Sequence, residues 1–102
     1  MPKKRGIGPA KRRMIIWKMQ NFRCAGCGGR AYPHLPWKHP KALTLDEVVP
    51  RAKGGLREYG NQIAMHRDCN ARKGDRMPTG CELIWLELVN VRLRKRGKLP
   101  AE

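Results

Sequence analysis

A chain of 102 residues fits one domain, and 23 Lys and Arg against 8 Asp and Glu give it a formal net charge of +15. A field that strong repels itself in the compact state, so it points to an anionic partner. A phosphate backbone suits best, because basic side chains gain affinity by displacing its condensed counterions.

A membrane surface is the weaker candidate partner, and no run approaches the ~20 apolar residues that span a bilayer. The basic start is not followed by the apolar core and small-residue cleavage site of a secretory signal. The cytoplasm is therefore the expected location, and in a reducing compartment the four cysteines read as metal ligands before disulfides. With one Phe and two Tyr the aromatic core is thin, and a small fold gains from a staple.

In chain order, residues 1–8 form a basic arm with Gly and Pro, expected to be flexible. A helix is predicted from Pro9 or Ala10 to Phe22, with Met14, Ile15, Trp17, Met19 and Phe22 at spacings of three and four. Lys11, Arg12 and Arg13 crowd its first turn against the helix dipole, which makes sense if that turn faces an anion. Cys24-Ala25-Gly26-Cys27-Gly28-Gly29 follows as a knuckle. Pro33, Pro36 and Pro40 block regular structure up to residue 42. His34 and His39 in that segment read as surface residues or phosphate contacts.

Leu43 to Val49 is predicted as a strand that stops at Pro50. A basic loop with Gly54-Gly55 leads to a second short strand, Asn61 to Met65, and a short helix from Asp68 or Cys69 to Gly74. After Pro78-Thr79-Gly80, a last helix is expected over Cys81 to Arg96, with Leu83, Ile84, Leu86, Leu88, Val89, Val91 and Leu93 on its apolar face. Residues 97–102 are expected to fray. Cys81 reads as a small core residue.

Cys24-x-x-Cys27 pairs with His66-x-x-Cys69 to give the ligand set of a closed tetrahedral Zn2+ site, which would tie the first helix to the strand pair. Arg51, Lys53, Arg57, Arg67, Arg72, Lys73 and Arg76 cluster around the acid- and asparagine-bearing stretch from Leu43 to Asp75 and are read as phosphate-gripping side chains for DNA.

Cys-x-x-Cys, Leu43-Thr44-Leu45-Asp46-Glu47-Val48-Val49-Pro50-Arg51-Ala52-Lys53-Gly54-Gly55, Asn61 and His66-Arg67-Asp68-Cys69-Asn70-Ala71-Arg72-Lys73-Gly74-Asp75 together resemble the HNH endonuclease family. The likeness covers residues 24–75 and is narrowest to the zinc-stapled HNH proteins of bacteriophages and prophages. It implies an α+β chain, a ββα-metal (HNH, His-Me finger) domain with a structural zinc knuckle and flanking helices.

The resemblance further implies that Asp46 ligates a divalent ion, that Asn61 supports the loop, and that Asn70 is the second ligand. Glu47 stands where the family has its water-activating histidine. A carboxylate is a weaker base than a neutral imidazole, yet it can take a proton from water, or it can become a third ligand; both roles stay open. Oxygen ligands suit Mg2+ or Mn2+.

The expected activity is nicking or cleavage of double-stranded DNA with weak sequence preference. The expected setting is a monomer in the cytoplasm of a bacterial host, and the resemblance suggests a role beside phage terminase subunits in genome packaging, or a homing or restriction activity. A zinc-containing nucleic-acid binder that cuts nothing is the competing expectation.

Overall fold

The computed structural model describes residues 8–100. It is a small α+β fold: helix α1 (Pro9–Met19), strand β1 (Leu43–Glu47), strand β2 (Gln62–His66), helix α2 (Arg67–Lys73) and helix α3 (Gly80–Lys95), with one 3-10 turn at Arg51–Lys53. The arm expected at residues 1–8 lies outside the described residues except for Gly8.

β1 and β2 pair antiparallel, with Leu43 opposite His66, Leu45 opposite Ala64 and Glu47 opposite Gln62. All five residues of β2 are buried. Its second edge would expose backbone polar groups inside the protein, which is costly unless they find partners. Gln20 and Ala25 supply them. The Gln20 amide accepts from the Ala64 N–H at 2.8 Å and donates to the Ala64 carbonyl at 3.1 Å, and the Ala25 N–H reaches the same carbonyl at 2.8 Å.

α1 packs Ile16, Trp17 and Met19 into the core with Val48, Ile63, Met65, Val89 and Leu93. Trp17 is fully buried, and its indole N–H donates to the Thr44 carbonyl at 3.0 Å, so even its polar edge is satisfied. The helix is shorter than the sequence suggests. It stops at Met19, and Asn21 and Phe22 turn the chain through positive φ (53° and 56°) toward the knuckle. Met14, expected on the inner face, is exposed.

β1 also ends early. Val48 and Val49 leave the ladder because their N–H groups go to Asn61, one to its carbonyl at 2.8 Å and one to its side-chain Oδ1 at 2.9 Å. α2 begins one to two residues sooner than expected, directly after His66.

α3 has the expected span but a different phase. Leu83, Ile84 and Val91 face outward, while Glu82, Val89 and Leu93 are buried. A capping box sets the phase: the Glu82 N–H donates to Thr79 Oγ1 at 3.2 Å, and the Thr79 N–H donates to Glu82 Oε1 at 2.9 Å. Arg76 grips both Glu82 oxygens at 2.8 and 2.9 Å, so the carboxylate is buried but paired, and the Arg76 guanidinium holds its carboxyl below the usual range. Arg92 ties α3 to α1 by donating to the Met19 carbonyl.

Cys81 is exposed at the start of α3 and is not a core residue. Residues 97–99, expected to fray, fold back instead: the Lys98 N–H bonds the Leu93 carbonyl at 2.8 Å and Leu99 packs on the core.

Candidate functional site

The Cys24–Cys27 knuckle and the β2–α2 corner meet. One ligand atom each from Cys24, Cys27, His66 and Cys69 lies within 4.8 Å of the others, so the four residues can hold a metal ion such as zinc. A tetrahedron with Zn–S and Zn–N bonds of ordinary length has edges of roughly 3.5–3.8 Å, and the Cys27 Sγ to His66 Nδ1 distance is 3.4 Å. His66 presents Nδ1 to the thiols because its Nε2 donates to the Arg30 carbonyl at 2.9 Å, which fixes ring orientation and tautomer.

Backbone N–H groups point at the sulfurs. Gly26 and His66 donate to Cys24 at 3.2 and 3.3 Å, and Gly29 donates to Cys27 at 3.3 Å. A Cβ at Gly26 would sit 2.8 Å from the Cys69 Cβ, so the turn requires glycine there.

The thiols compete for protons. Burial, and then the neighbouring Cys24 and Cys27, push the Cys69 thiol up to about 12. Burial also raises the Cys27 thiol, but the Gly29 N–H, the other two cysteines and the Lys41 charge bring it below its ordinary value. Cys27 and Cys69 thus hold their protons unequally, and a cation among the sulfurs would displace thiol protons.

Beside this cluster opens a cavity of about 740 Å³, lined among others by Asp46, Glu47, Asn70, Gln62 and Asp75, with Arg12, Arg13, Arg51, Arg57 and Arg67 around it. The shared corner explains the proximity, since Asn70 follows Cys69 directly. Its amide nitrogen donates to the Leu45 carbonyl at 3.0 Å and to Thr44 Oγ1 at 3.2 Å, and neither bond uses Oδ1.

Asn61 does not line the cavity. Its side chain staples the loop that follows β1, donating to the carbonyls of Val49 and Leu56 at 3.0 and 2.9 Å while accepting from Val49. Gly55 closes that loop so tightly that a Cβ there would lie 1.6 Å from the Val49 carbonyl oxygen.

Adjacent strand residues point to opposite sides, and Asp46 and Glu47 do so. Glu47 is partly exposed, with Arg57 Nε at 4.0 Å. Asp46 turns inward to Lys73, whose Nζ is 3.1 Å from Oδ2 with both side chains almost wholly buried. That contact is charge to charge, because Oδ2 lacks a hydrogen-bond partner. The ammonium lies instead among three backbone carbonyls, those of Glu47 and Val48 at 3.4 Å and Arg76 at 3.3 Å. Burial raises the Asp46 carboxyl to about 6, against the downward pull of Lys73, with Glu82 and Glu47 adding to the rise.

Lys73 is therefore not a phosphate-gripping side chain, as its place in a basic run suggested. The signal was in the sequence: Lys73 sits four residues after Cys69, so both occupy the inward face of α2. Two more of the expected DNA contacts are engaged internally. Arg76 holds Glu82, and Arg72 contacts Asp68 at 3.5 Å and Cys69 Sγ at 3.2 Å. Arg51, Arg57 and Arg67 do line the cavity, while Lys53 is exposed on the 3-10 turn away from its wall. Arg12 and Arg13 join them, in keeping with the anion-facing turn read from their misplacement on the helix dipole.

His34 and His39 are exposed, as expected. Among the described residues no helix is long and apolar enough to cross a membrane. No family model matches the chain, and no curated protein matches it.

Proposed function

We propose that this chain is a divalent-metal-dependent DNA endonuclease of the HNH type, its ββα unit stapled by zinc. The observation that carries the reading is the meeting of Asp46, Glu47 and Asn70 at one cavity with five arginines around it. Two features support a hard cation there. Lys73 meets Asp46 through Oδ2, so Oδ1 of that carboxylate is the oxygen a cation would take, and Asn70 has its Oδ1 outside both of its amide bonds.

In this reading, Asp46 and Asn70 would hold Mg2+ or Mn2+, which would supply positive charge for the scissile phosphate and its leaving oxygen. The residues do the rest. Glu47, on the solvent side of β1, takes the proton of the attacking water. Arg57 beside it anchors a phosphate oxygen and sets the side chain's direction. Asn61 keeps the following loop, with Arg51, at a fixed height over the cavity. Lys73 holds Asp46 Oδ2, which would leave Oδ1 to hold the ion, and the same contact ties α2 to β1. Double-stranded DNA with weak sequence preference is the expected target, since the rim offers phosphate contacts. A role beside phage terminase subunits fits the resemblance.

One observation favours a second reading. Asp46 is already paired with Lys73, and a site that spends its acid this way can be a DNA-binding zinc module that cuts nothing.

A plasmid-nicking assay separates the two. Zinc-loaded protein should relax supercoiled DNA in Mg2+ or Mn2+ but not in Ca2+. Glu47→Ala and Asn70→Ala should each lower the rate at least about a hundredfold, while DNA retardation in Ca2+ stays within about twofold. Intact plasmid under every divalent ion, with normal retardation, would establish the binder instead. Equal cutting by Glu47→Ala would assign the base to another group.

A further inference from the structure

Trp37 is 73% exposed, more than any other large apolar residue described, and it lines the same cavity as Asp46 and Asn70. A single exposed apolar side chain is common on protein surfaces, so the weight falls on how Trp37 is held and what surrounds it. The segment that carries it is rigid. Turns close from the Leu35 N–H to the Tyr32 carbonyl (3.3 Å), from His39 to Pro36 (2.9 Å) and from Ala42 to His39 (2.9 Å), around Pro33, Pro36 and Pro40. The segment is fastened to the start of α2 as well. Asp68 and Arg67 donate their N–H groups to the carbonyls of Pro40 (2.8 Å) and Ala42 (2.9 Å), and Lys41 pairs with Asp68 at 3.1 Å. Trp37 is thus presented on a fixed mount.

Its surroundings define the ligand. Lys38 Nζ lies 5.3 Å from the ring centroid, so a cation sits over the ring. Around the cavity are Arg12, Arg13 and Arg67, and the buried Nε of Arg12 has no acceptor among the described residues. A flat aromatic surface beside guanidinium groups, with the Arg12 Nε unsatisfied, suits a nucleobase next to a phosphate. In an intact duplex each base is already covered by its neighbours, and only an unpaired base can offer a face to the indole.

We propose that the Pro-rich segment of residues 32–41 is a stacking platform on which Trp37 takes one unpaired base, making gapped, flapped or single-stranded DNA the preferred substrate. This rests on reading the cavity as a DNA site, and it narrows the substrate from duplex in general to DNA with a local break in pairing.

The test uses the zinc-loaded full chain and fluorescent oligonucleotides in Ca2+, where binding is read without cleavage. Three probes are compared: a continuous duplex, the same duplex with a two-nucleotide gap, and the single strand. Trp37→Ala should weaken the gapped and single-stranded complexes about tenfold or more. The continuous duplex should change less than twofold, and Trp37→Phe should restore most of the loss. Single-strand binding should also quench the emission of wild-type protein more than that of Trp37→Phe. Equal losses on all three probes, or no loss on any, would overturn the proposal. Cleavage that ignores Trp37 and local pairing would overturn it too while leaving the nuclease reading intact. Trp37-dependent binding without cleavage in any divalent ion would support it and end the nuclease reading.

Discussion

Cys27→Ala, or stripping the cation from the Cys24–Cys27–His66–Cys69 cluster with a strong chelator, is expected to unfold the whole domain. A structural zinc ion contributes on the order of 10–16 kcal/mol at neutral pH, and a domain of this size has a net stability of only about 5–15 kcal/mol. The cluster is also where the architecture converges. Cys24 and Cys27 lie between α1 and the Pro-rich segment, His66 ends β2, and Cys69 lies in α2. Without a cation, three crowded sulfurs remain beside a buried imidazole, two of them buried as well, with the Cys69 thiol pushed up to about 12. Circular dichroism of the zinc-free protein should show a disordered chain that refolds on addition of one equivalent of zinc. Cys81→Ala, which removes an exposed thiol, should change stability by less than about 0.5 kcal/mol. A native spectrum with no bound metal would contradict the structural role.

The second large effect concerns Lys73. Replacing it with Met keeps the stem and removes the charge, which strands Asp46 in a buried site. Breaking such a pair costs about 3–5 kcal/mol, more than an exposed salt bridge by a wide margin. The loss should depend on pH in a defined direction. Burial already raises the Asp46 carboxyl from an ordinary 3.8 to about 6 even with Lys73 present. A carboxyl whose folded pKa is raised holds its proton more tightly in the folded state, so its penalty is absent below about pH 4 and complete above about pH 6. The difference corresponds to roughly 3 kcal/mol. Removing Lys73 lets burial dominate and raises the carboxyl further. The deficit of Lys73→Met relative to wild type, from urea melts of the zinc-loaded proteins, should be largest near pH 8 and shrink as the pH falls toward 5.5. A deficit that is flat or grows on acidification would mean that Asp46 is not the group left unpaired.

These two cases also show what the sequence could disclose. The cysteine and histidine spacings are local signals, and the Cys/His cluster they indicate is assembled in the fold. The two strands and three helices were legible from Pro50, Gly74 and the apolar periodicity, within a few residues at the ends. What was not legible is where individual charges go. Lys73 reads like its neighbours Arg72 and Arg76 until the phase of a seven-residue helix is known. The face of α3 was misjudged for a similar reason. Counting apolar residues selects Leu83 and Ile84, whereas the Thr79–Glu82 capping box and the Arg76 grip bury Glu82 and rotate those two outward. Gln20, which completes the second edge of β2, has no signal beyond its place at the end of a helix whose last turns face the core. Asn61 was assigned to loop support by resemblance, and its three bonds to Val49 and Leu56 give that role a geometry.

The account as a whole stands on a hard cation between Asp46 and Asn70. Crystals of the zinc-loaded protein soaked in Mn2+, with anomalous differences collected above and below the manganese edge, test this most directly. The account predicts a manganese peak within ligand distance of Asp46 and Asn70, in the cavity that Glu47 lines, with zinc alone in the Cys/His cluster. Manganese found only elsewhere, with none at Asp46 and Asn70, would contradict it.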